Sequence, residues 1–110
     1  MFKTALKKGS MEILVLSLLS DKPRHGYEIG KLIEMRSGGA LQFHISSLYP
    51  VLCRMEKRDW IKGRWVEKKG ERRRRYYKLT TTGAKILIEQ KEYWFEFTGA
   101  VNQIMGVSHA

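Results

Sequence analysis

Four consecutive arginines, Arg72 to Arg75, run directly into Tyr76 and Tyr77 in the stretch GERRRRYYKLTTTG, residues 70 to 83. A guanidinium grips phosphate bidentately through a planar fork of N–H donors. A tyrosine adds a ring that packs and a hydroxyl that bonds an anion. A disordered basic tail has no use for the rings, and a core has no room for the arginines. The combination calls for an element with one buried face and one face turned toward something negative.

The charge is concentrated there. The chain has 21 Lys+Arg against 11 Asp+Glu, a net charge of +10. Between Lys62 and Lys78, nine basic side chains stand against Glu67 and Glu71, so seven of the ten net charges fall in that segment. The surplus implies an anionic partner, either nucleic acid or an acidic membrane surface. A merely solvated basic face is the blander alternative.

Other chemistry is poorly supplied. There is no phosphate-cradling glycine loop, no carboxylate pair in a plausible cleft, and no nucleophile with a base and an orienting partner, so no enzyme is expected. His25, His44 and His109 are scattered, which gives no metal constellation and no cofactor site. Cys53 is the one cysteine; it sits among apolar residues and reads as packing, and no disulfide framework exists. The run Ile13 to Leu19 is far shorter than the roughly 20 residues of a membrane span. Lys3, Lys7 and Lys8 before it mimic a signal peptide, but no small-residue cleavage site follows in SDKPRHGYE, and a cytoplasmic protein is expected.

The length of 110 residues fits one folding unit. MEILVLSLLS, residues 11 to 20, predicts a helix capped by Ser10 and buried on most faces. Tyr27, Ile29, Leu32, Ile33 and Met35 space out a second helix that Gly38-Gly39 stops. Leu41 to Phe43 suggests at most one extended bridge. ISSLYPVLCRMEKRDWI gives a third helix, capped by Ser46 or Ser47, with Pro50 in its first turn and Leu48, Val51, Leu52 and Met55 facing inward. From Ile61 to Leu79 the period changes to that of a β-hairpin turning at Lys68 to Glu71, with Trp60 and Trp65 expected to anchor it to the body. A bulge would flip the parity, so the sequence leaves the face of each arginine open. Thr81 or Thr82 then caps a last helix to about Met105. Its seam, Leu87, Gln90, Trp94, Phe97, Val101 and Ile104, alternates spacings of 3 and 4, the heptad pattern of helices that pair.

The expected fold is mainly α with a small β-hairpin wing: a winged helix-turn-helix over residues 1–80 and a dimerisation helix over residues 81–110. In that layout the third helix, Ser46 to Arg54, enters the major groove of duplex DNA, and the wing follows the backbone. Candidate DNA contacts are Tyr27, His44, Ser46, Ser47, Tyr49, Arg54, Lys69, Arg72, Arg73, Arg74, Arg75 and Tyr76. Tyr49 reads either as a core tyrosine or as a phosphate contact beside the helix N-terminus. Leu87, Trp94, Phe97, Val101 and Ile104 are the candidate dimer contacts.

HGYEI at 25–29, SSLYPVL at 46–52, Arg54-Met55-Glu56-Lys57 before an aromatic-Ile pair, and RRRRYYKLTTTG, in that order and spacing, resemble the PadR family of bacterial transcriptional regulators, in the short form with one C-terminal helix. The resemblance runs from about Gly9 to Ile104. It implies a homodimeric repressor on a palindromic operator, with the last helix making much of the dimer contact. It also makes Trp94 a candidate wall for a small aromatic effector at the dimer centre, against the plainer reading of dimer core. Ser46-Ser47, preceded by His44, departs from the glycine or threonine that members often carry before SLYP, so the operator sequence does not follow from the resemblance. The alternative function is a general basic RNA- or nucleic-acid-binding protein without operator specificity, which explains the charge but not the seam.

Overall fold

A computed structural model describes residues 4–107. Lys3 and His109, and the end of the C-terminal fray expected at VSHA, lie outside the described residues. The elements are α1 (Thr4–Leu18), β1 (Arg24–His25), α2 (Gly26–Arg36), α3 (Ile45–Lys57), β2 (Ile61–Val66), β3 (Arg74–Leu79) and α4 (Thr81–Met105). The strands form one antiparallel sheet in the order β1-β3-β2.

Helices α1 and α3 bury the apolar faces their spacing predicts, while of the α2 set only Ile29 and Ile33 are buried and Tyr27 and Met35 are exposed. Val15 and Leu16 of α1, Ile29 of α2, and Leu48, Leu52 and Met55 of α3 meet in one core, which Ile61 of β2 closes. Helix α1 begins well before the expected cap, so Ser10 lies inside it. Helix α2 stops at Gly38 and Gly39, which both take positive φ. Residues 41–43 form no strand; the third strand is instead the two-residue β1, pairing Arg24 with Tyr77 and His25 with Tyr76. Behind it Arg24 is buried with three partners. Its Nε donates to the Leu18 carbonyl at 2.7 Å, and its terminal nitrogens meet Glu28 at 3.0 Å and Asp21 at 3.1 Å. That side chain ties the end of α1 to the start of α2, and a buried cation needs such pairing.

The hairpin has no bulge. Its register runs evenly from Ile61 opposite Leu79 to Val66 opposite Arg74. Ile61, Gly63 and Trp65 therefore share a face with Arg75, Tyr77 and Leu79, while Arg74 and Tyr76 point the other way.

The N-cap of α4 is Thr80, one or two residues ahead of the expected threonines; its hydroxyl accepts from the Gly83 N–H at 2.9 Å. Helix α4 starts on the body and then leaves it. The radius of gyration is 15.4 Å, where a compact chain of this length has about 13 Å, because α4 extends a long axis of 54 Å. Leu87 is 5% exposed within its own chain. It belongs to the intrachain core, and the expected dimer seam can begin only beyond it.

Candidate nucleic-acid interface

Helix α3 starts at His44, an extended N-cap with no side-chain cap bond. Neither Ser46 nor Ser47 is the cap; both stand exposed within the first turn. The Ser47 and Leu48 N–H groups donate back to the His44 carbonyl at 3.0 Å. Pro50 lies one turn further in than expected. The exposed N-terminal end carries the positive end of the helix dipole. The inward stripe turns His44, Ser46, Ser47, Tyr49 and Arg54 to the outside. Tyr49 is 52% exposed, which removes its core reading.

Beside this end lies a groove of about 570 Å³ between the helices and the wing. Tyr27 and Tyr49 form one wall, and Trp65 with Arg72 to Arg75 forms the other. Trp65 corrects the expectation of an anchor. At 54% exposure it does not pin the wing, whereas Trp60 packs against the core. The reason is distance along the ladder: only the body end of β2 reaches the core, and Trp65 lies four residues beyond Ile61. Its ring instead carries the Arg73 guanidinium, 4.7 Å from the ring centroid, and that of Arg75 at 5.6 Å. Such stacking holds an exposed cation in place without neutralising it. Lys31 lies over Tyr27 in the same manner, 5.7 Å from its centroid.

Of the expected contacts, His44, Ser46, Ser47, Arg54, Lys69 and Tyr76 do not line this groove, and Arg74 and Arg75 line it with partners of their own. Tyr76 stands on the opposite face of the wing, edge-on to His25 and beneath Lys68. Arg74 reaches to within 3.1 Å of Nε2 of that same histidine. Burial first, and then the charge of Arg74, hold the His25 imidazole below its ordinary value. A neutral ring suits its other duty, since Nδ1 accepts from the Glu28 N–H at 3.2 Å and so caps α2. Arg75 is bound to Glu56 at 2.5 Å. Lys69, Arg72 and Arg73 are exposed at and beside the hairpin tip. No amphipathic period marks a contact such as Glu56–Arg75 across 19 residues of chain.

Along α4, Trp94, Phe97 and Ile104 are exposed and Val101 is half-buried. Tyr93 stacks parallel to Phe97 at 6.1 Å, and Trp94 lies 6.2 Å from the same ring.

A helix-turn-helix whose third helix ends beside an arginine-bearing hairpin is a winged helix-turn-helix. Within that class the chain belongs to the family described as Transcriptional regulator PadR-like, whose model matches residues 15–92. A transcriptional regulator from Clostridium thermocellum is 28% identical, with 94% of this chain and 97% of that one covered and a TM-score of 0.84. A PadR family transcription regulator from Clostridium difficile is 32% identical, with 88% and 99% covered and a TM-score of 0.78. The fold is also that of Bacillus subtilis PadR, solved in complex with operator DNA, at 22% identity and a TM-score of 0.66 over 73% of this chain and 45% of that one. No helix among the described residues is long and apolar enough to cross a membrane.

Proposed function

We propose that the chain is a homodimeric, cytoplasmic repressor that binds a palindromic duplex operator and is released by a small aromatic effector. The observation that carries the DNA reading is the groove itself. Tyr27, Tyr49, the Trp65-stacked Arg73 and the start of α3 at Ile45 line one strip of surface, and tyrosine, arginine and a helix N-terminus are each suited to phosphate. The Bacillus subtilis relative of the same fold was solved with operator DNA in place. A phosphate strand passing along the groove sets α3 into the major groove, where Ser46, Ser47 and Arg54 meet base edges. Two such helices, about 34 Å apart, read a two-fold site. The exposed α4 aromatics supply the pairing surface. A flat ligand seated at Trp94 acts as inducer if it favours the spacing of the DNA-free dimer.

Selection of bound sequences from random duplex DNA tests this reading; enrichment of a two-fold motif is the expected result, and no enrichment counts against it. Two variants probe the groove. Arg73→Ala is expected to weaken binding to all duplexes alike and to lower the slope of log K against log salt by about 1, the signature of one lost phosphate contact. Tyr49→Phe removes a hydroxyl and almost no packing. Loss of its bond to phosphate predicts weaker binding by about 1 kcal/mol, roughly fivefold, with the melting temperature unchanged. A lower melting temperature with unchanged affinity assigns the Tyr49 hydroxyl to folding instead.

A further inference from the structure

Arg75 is the one arginine of the run of four whose guanidinium is taken up by a carboxylate. Its terminal nitrogen meets the Glu56 carboxylate at 2.5 Å, and the same carboxylate oxygen lies 3.4 Å from the Gly63 N–H. The guanidinium lies flat across β2 at Gly63. A Cβ added there would stand 2.6 Å from the Arg75 Nε and 2.8 Å from its Cζ, so this position has room for the guanidinium only because it is glycine. The Tyr77 ring flanks the group, 5.9 Å away. The bond to Glu56 is the main cause that lifts Arg75 above the ordinary arginine value. Glu56 projects from the last turns of α3, Gly63 sits midway along β2, and Arg75 is the second residue of β3, toward the hairpin tip. The three residues thus join the end of the recognition helix to the wing.

We propose that Glu56 and Arg75 form a latch that fixes the angle between wing and recognition helix, which makes Arg75 a positioning residue for DNA binding and not a phosphate ligand. The proposal rests on the duplex-DNA reading of the groove. Its consequence runs against simple electrostatics. Arg72 and Arg73 grip phosphate only where the wing holds them, so weakening the latch weakens binding even when the change makes the protein more positive.

Glu56→Gln is the deciding variant, made in the full chain and titrated with short duplexes of random sequence. It adds one net positive charge, so charge alone predicts tighter binding; the latch predicts binding about fivefold weaker, the size of a lost partly exposed ion pair. Arg75→Ala should weaken binding with the salt slope unchanged, in contrast to Arg73→Ala. Exchanging the pair, Glu56→Arg with Arg75→Glu, keeps the net charge and should restore most of the affinity, a rescue that loss of a phosphate contact does not allow. In the absence of DNA, Glu56→Gln should also speed amide hydrogen exchange in β2 and β3 but not in α1. Tighter binding by Glu56→Gln, or a salt slope lowered by about 1 in Arg75→Ala, overturns the latch and returns Arg75 to phosphate. A wild-type chain that binds no duplex removes the DNA reading, and the exchange measurement then decides separately whether the latch exists.

Discussion

Phe97→Asp is expected to convert the protein to monomers and to abolish operator binding in the same step. Phe97 is 49% exposed and Trp94 48% exposed in the single chain, and Tyr93 and Trp94 share contact with the Phe97 ring. The proposed dimer would cover this exposed apolar strip, and the heptad spacing suits a partner helix. A two-fold dimer carries every substitution twice. Each copy would bury a carboxylate, at a penalty of several kcal/mol per ion. The fold of the chain itself should survive, because the side chain touches little of its own core. Loss of the dimer also loses simultaneous engagement of two half-sites, an advantage of roughly 10²-fold or more. Sedimentation velocity and a duplex titration on one preparation check both outcomes; a variant that stays dimeric shows that α4 pairs through another face.

Gly83→Ala is expected to destabilise the fold by about 2 kcal/mol, against the usual helix rule. In an exposed helix the change gains about 1 kcal/mol. Here a Cβ would stand 1.9 Å from the Trp60 carbonyl oxygen and 2.9 Å from its carbon. That carbonyl is held in place, since it accepts from the Thr80 N–H at 3.1 Å, and the Thr80 hydroxyl beside it donates to the neighbouring Asp59 carbonyl at 2.5 Å. Backbone must move to admit the methyl, and overpacking of this kind costs about 1–3 kcal/mol. The melting temperature should fall by roughly 10 °C for a chain of this size. A rise in melting temperature would mean that the first turn of α4 is free to shift away from β2.

These two positions show what the sequence carried and what it withheld. The aromatic spacing along α4 is a local pattern, so the exposed strip was readable, as were the α3 stripe Leu48, Val51, Leu52 and Met55 and the hairpin turn. Leu87 fell in the same seam by spacing, yet faces the intrachain core, because α4 packs on α1 before it departs; spacing sets a face and not the occupant opposite. The caps of α3 and α4 were misplaced by one to three residues, since a serine or threonine can cap at several neighbouring positions and tertiary packing chooses among them; α1 starts at Thr4, well ahead of the expected Ser10. Gly83 stood inside the family-like TTTG motif without a reason until the Trp60 carbonyl appeared next to it. The exposure of Trp65 and the Glu56 partner of Arg75 were unreadable for a common cause. Their roles depend on where the hairpin rises off the body and on a carboxylate from another element, and neither is written in the local alternation of side chains.

The most direct test of the central claim is a competition titration with the full-length chain. A duplex recovered by selection is bound at moderate salt, and unrelated duplex DNA and an RNA duplex are each added as competitors. A sequence-specific repressor should prefer the selected duplex by at least about 10³-fold over both, the usual gap between specific and non-specific binding. The steep salt dependence set by the wing arginines should appear with every duplex. If the selected duplex, unrelated DNA and RNA compete equally, the chain is a general basic nucleic-acid binder and not an operator-reading regulator.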